Sequence, residues 1–210
     1  EARFFVAIKN DEIVGRIAAI INHTEINEQN LKKMRFGWFD FIDDLEVSKM
    51  LIEKVIEIGN QQKLEFMEGP VGFSNLDKVG VLTNGFDHIG TMITWYNHPY
   101  YKTHYEKLGF TVEKEYLENK FPFKNVKSEP LQRVSSILEK RYNLIPLNFT
   151  KTKDIMPYVD KMFDLFNQSY AVLPSFVPIS QLEIDYFKKK YISFINPEYI
   201  KFVVDKDDKM

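Results

Sequence analysis

The sequence predicts an α/β fold, a mixed and mostly antiparallel sheet flanked by helices. Three observations carry the prediction. β-rich runs stand at 3–9, 13–21, 35–42 and 64–68, each bounded by polar or glycine residues. A long amphipathic stretch at 44–62 separates the third run from the fourth. After residue 143 the pattern becomes strand, two helices, strand.

Taken in order, RFFVAIK (3–9) and IVGRIAAII (13–21) flank the polar residues NDE, which predicts a hairpin. Residues 23–34 are polar and read as a loop. RFGWFDFI (35–42) alternates as a third strand. Leu45, Val47, Leu51, Ile52, Val55, Ile56 and Ile58 then keep helical spacing behind an Asp43/Asp44 N-cap. LEFME (64–68) is a fourth strand.

Gly69, Gly72, Gly80, Gly85 and Gly90 punctuate the next stretch, which predicts a long irregular segment. TMITWY (91–96) reads as a strand, and Pro99 suits the first turn of a helix over 99–108 that Gly109 ends. FTVEKEYLENKF (110–121) reads as a last strand of this half.

A charged linker over 124–130 follows, giving a first domain at 1–123 and a second at 131–210. The second opens with a helix at 131–142 and a short strand at 144–149. Helices at about 152–171 and 180–194 come next, the latter with a Ser180/Glu183 capping box, and then a strand at 199–204. The closing residues FVVDKDDKM (202–210) lie without a gap over FVAIKNDEI (5–13), so Lys9 matches Lys206 and Asp11 matches Asp208. Chance gives one account of this match, and a long internal repeat gives the other. The repeat predicts further sequence beyond Met210, and a start on Glu1 directly before a strand predicts sequence ahead of it. A single permuted domain, with the late strand completing the first sheet, is the competing organisation.

Composition narrows the function. The absence of cysteine excludes a disulfide scaffold, a thiolate nucleophile and a zinc ribbon, and agrees with a cytoplasmic protein. Residues 1–123 carry 14 basic and 19 acidic side chains, and residues 124–210 carry 14 and 11. Neither half has the basic excess expected of a nucleic-acid partner. The longest apolar run, IAAII, falls far short of the ~18 residues of a membrane helix. The histidines have no ligand partners at metal-binding spacing, which predicts no metal site.

WYNHPYY (95–101) gathers four aromatics, an amide and an imidazole beside the glycine-rich stretch. Apolar walls with a few polar handles suit a substrate pocket. Tyr96, Asn97, His98 and Tyr101 are its candidate binding residues. The other reading is a strand-to-helix turn with aromatic packing.

Two stretches, FFVAIKNDEIVGRIAAI and HYEKLGF, together with the order hairpin, strand, helix, strand, loop, helix, strand, resemble the GNAT superfamily of N-acetyltransferases from its second strand onward. The resemblance covers residues 3–121. Residues 143–205 resemble the beginning of a second such unit, as in tandem GNAT-like proteins. It implies acyl or aminoacyl transfer from a CoA- or tRNA-type donor to a small-molecule or peptide amine. It also implies a role for Tyr105, where family members often place the tyrosine that protonates the departing thiolate. The structural alternative for Tyr105 is a packed ring whose hydroxyl meets a backbone partner, and this is the reading we expect.

One departure matters. The family holds the pyrophosphate of acetyl-CoA on a Gln/Arg-x-x-Gly-x-Gly/Ala turn at a helix N-terminus, where free N–H groups bind anions. Here that turn reads FIDDLEVSKML (41–51), without glycine and with two carboxylates. The expectation is therefore an acyltransferase-family protein whose donor site lies outside the first unit. The alternative is a degenerate, non-catalytic module that binds a ligand or protein.

Overall fold

A computed structural model describes every residue except Asn75, Met92, Ile93, Pro174, Ser175 and Ser193. The chain divides into two compact units, Glu1–Glu118 and Asn119–Met210.

The first unit is built on a four-stranded sheet of order β1-β2-β3-β4. β1 (Ala2–Lys9) and β2 (Glu12–Ile20) form the expected hairpin, with Asn10 and Asp11 at φ 53° and 65°. Two left-handed residues in a two-residue loop match the twist of the strands they join, and Asn and Asp tolerate that conformation best after glycine. β3 (Lys33–Phe41) lies antiparallel to β2, and β4 (Phe66–Glu68) pairs parallel to β3 through Lys33↔Phe66, Met34↔Met67 and Arg35↔Glu68.

A bulge in β3 decides what the core contains. Arg16 opposes Asp40 and Ala18 opposes Gly37, so β3 carries one extra residue here, and Trp38 sits at φ 46°. Strict alternation from Phe36 would turn Trp38 and Asp40 inward. The extra residue resets the parity, and Phe36, Phe39 and Phe41 all enter the core. Helix α2 (Leu45–Gln61) covers that face with Val47, Leu51, Ile52, Val55 and Ile58. α3 (Tyr100–Lys107) adds Tyr101 and Tyr105. Gly37 matters for a different reason: a Cβ there would stand 2.6 Å from the Val71 carbonyl oxygen, where the next segment crosses the strand.

The stretch at 23–34 is not all loop. Asn22 accepts hydrogen bonds from the N–H groups of Thr24 and Glu25 and starts a one-turn helix, α1 (His23–Asn27). Glu25 is fully buried and meets Lys33 Nζ at 2.7 Å and the Arg35 guanidinium at 2.7 Å through each of its oxygens. Lys33 also reaches Glu68 at 2.5 Å, and Arg35 Nη1 donates to the carbonyls of Gly72 and Phe73 at 3.0 and 3.2 Å. Every charge in the cluster has a partner, so the network ties α1, β3, β4 and the 72–73 backbone together.

The strand expected at 110–121 does not form. Residues 110–121 join no sheet, and Val112, Tyr116, Leu117 and Phe121 are exposed. Glu118 instead accepts from the Thr91 and Thr94 hydroxyls, which holds the two segments through side chains rather than a ladder. The expected strand at 91–96 includes Met92 and Ile93, outside the described residues; Thr91 and Thr94–Tyr96 are irregular.

In the second unit α4 (Ser128–Tyr142) begins inside the stretch expected to be linker, and a short 3-10 turn occupies Phe123–Asn125. β5 (Ile145–Asn148) and β6 (Lys201–Val204) pair antiparallel, with Leu147 opposite Phe202. α5 (Thr152–Tyr170) and α6 (Gln181–Phe187) supply Ile155, Val159, Phe163, Ile184 and Phe187 to a core that includes Phe149 and Phe202. The Ser180/Glu183 capping box is present. α6 is shorter than the expected helix, because a π-helical turn takes over at Lys188–Ile192.

Candidate functional site

Asp43, Asp44, Tyr101 and Tyr105 come together where β3 runs into α2 and where α3 packs on that junction. Asp44 is the N-cap of α2. Its carboxylate accepts from the Glu46 N–H at 3.0 Å and from Lys9 Nζ at 2.8 Å. The Lys9 hydrogen bond, seconded by the Glu46 N–H, holds this carboxyl below its usual range.

Asp43 does not cap the helix. Its Oδ1 lies 2.9 Å from Nε2 of His104. The other ring nitrogen, Nδ1, is 2.8 Å from Ser48 Oγ, which is also 3.0 Å from the Leu45 carbonyl. Ser48 has one hydroxyl proton, given either to Leu45 or to Nδ1. A serine, a histidine and an aspartate in line suggest a nucleophilic triad, yet the accessibility runs the wrong way. Ser48 is fully buried and Asp43 stands at the surface with 68% of its side chain exposed. The serine is enclosed rather than presented to a substrate, and the line joins α3 to the start of α2. The sequence separation of 56 and 61 residues hid this constellation; the only nearby signal was His104 within HYEKLGF.

Tyr100 and Tyr101 fasten the same junction. Tyr100 OH donates to the Phe41 carbonyl at 2.6 Å, and Tyr101 OH accepts from the Phe41 N–H at 3.3 Å. The Tyr101 ring stacks on Phe41 with centroids 4.3 Å apart. Burial, with a further push from Asp40, raises the Tyr101 hydroxyl to about 12, against a lowering contribution from the Phe41 N–H.

Tyr105 sits deeper. Its ring lies 6.3 Å from Phe36, 5.8 Å from Phe39 and 5.3 Å from Phe110. The hydroxyl is buried and has no hydrogen-bond partner among the described residues. The backbone partner expected of a structural tyrosine is therefore not found there. Burial first, then Tyr101 and Asp40, drive its pKa well above the ordinary phenol value.

The remaining candidates lie on the segment before α3. Asn97 is buried and uses its amide on backbone: Oδ1 accepts from the Leu82 N–H at 2.6 Å, and Nδ2 donates to the carbonyls of Leu82 and His98 at 3.1 and 3.0 Å. His98 is exposed and stacks on Tyr100 at 5.5 Å. Tyr96 is 62% exposed, with its ring at 6.4 Å from Phe86. The structure thus brings Tyr101 and Tyr105 together in one aromatic cluster and leaves Tyr96, Asn97 and His98 along the approach to it. Among the described residues, no three His, Asp or Glu side chains converge as metal ligands, and no helix is long and apolar enough to cross a membrane.

No family model and no solved structure matches the chain. Protein YghO of Escherichia coli (strain K12) is 30% identical over 106 residues, covering 50% of this chain. Those residues make up 27% of YghO, so the match spans about a quarter of that relative's length.

Proposed function

We propose that the chain is part of a tandem GNAT-like protein of the acyltransferase type, and that its first unit does not hold the acyl donor. One observation carries the second half of this reading. At the α2 N-terminus, Asp44 occupies the place of an anion, and Asp43 stands beside it bonded to His104. A diphosphate would meet two carboxylates where it needs free N–H groups.

The order hairpin, β3, α2, β4 and α3 and the mixed sheet support the GNAT-like part, while the strand that the resemblance places after α3 does not form. The match of residues 202–210 on 5–13 supports the tandem part. Phe5 and Phe202 both pack on a core, Val6 and Val203 both face out, and the matched Asp11 and Asp208 both have left-handed backbone, at 65° and 57°. In this reading the donor, a CoA thioester or an aminoacyl-tRNA, binds outside the first unit. The first unit shapes the groove for a small-molecule or peptide amine.

A non-catalytic ligand- or protein-binding module is the second reading. The enclosed Tyr105 hydroxyl favours it, because a general acid must reach its leaving group. Calorimetry of acetyl-CoA against the 210-residue chain tests the shared claim. No binding at the 41–51 turn is expected; clear binding that Val47 or Ser48 substitutions weaken would overturn it. Acyl transfer to amines by the natural protein then separates the transferase from the module.

A further inference from the structure

We draw no further inference here: the strongest candidate, the outward apolar row of Phe4, Val6 and Ile8 on the edge strand β1 beside Trp38, is an unpartnered sheet face, and nothing in the structure shows what covers it.

Discussion

His104 bridges Asp43, just ahead of α2, and Ser48, in its first turn, at 2.9 Å from one ring nitrogen and 2.8 Å from the other. The two contacts differ in worth because the ring is buried and Asp43 is largely in water. His104→Ala removes a buried ring and both bonds, with an expected loss of about 2–5 kcal/mol, the range for truncating a large core side chain. Asp43→Ala breaks an exposed contact and is expected to cost no more than ~1 kcal/mol. Urea denaturation of the two variants gives the comparison; equal losses would mean that Asp43 is the anchor.

Tyr105→Phe is expected to stabilise the protein. A buried hydroxyl without a partner carries a desolvation penalty of about 1–3 kcal/mol, and deleting it leaves the ring packing intact. The denaturation midpoint should rise. A fall of about 0.5–1.5 kcal/mol would reveal a hydrogen bond to the hydroxyl.

Glu25→Ala strands Lys33 and Arg35 without their shared carboxylate and is expected to cost about 3–5 kcal/mol. Burial alone would raise the Glu25 carboxyl, but hydrogen bonds and charges from Arg35 and Lys33 outweigh it and hold the folded value below the ordinary one. The stabilisation is therefore complete above the unfolded pKa of about 4.3 and is lost as the pH falls through the lower folded value. Thermal melts between pH 7 and pH 3 should show the acid loss in the native protein and a shallower one in Glu25→Gln.

Ultraviolet titration of the tyrosines should resolve the α3 cluster. Exposed phenols ionise near ~10. Tyr101 is expected to follow at about 12, and Tyr105 well above the ordinary phenol range because its hydroxyl is buried. Loss of the late component in Tyr101→Phe assigns it; a normal titration for all tyrosines would refute the packing described for this cluster.

Local signals in the chain were readable where they sufficed to determine structure. The NDE turn, the Asp44 cap and the Ser180/Glu183 box each rest on residues within four positions of one another. Asn22 followed by Glu25 is the same kind of signal, masked by the polar residues around it. The strand expected at 110–121 is absent because alternation in FTVEKEYLENKF states a preference for extended chain and says nothing of a neighbouring strand. The network of buried Glu25, Lys33 and Arg35 with half-buried Glu68, like the Ser48, His104 and Asp43 line, joins residues far apart in sequence, where pattern carries no information.

Asn97 gives Leu82 both an acceptor for its N–H and a donor for its carbonyl, as an adjoining strand would, and Asn167 does the same for Ile179. Each asparagine acts as a rung without a ladder. Amide hydrogen exchange should therefore find slow islands at Leu82 and Ile179 within otherwise fast-exchanging backbone. Replacing either asparagine with aspartate keeps the acceptor and removes the donor, which leaves one carbonyl unanswered and converts a two-sided fastening into a hinge.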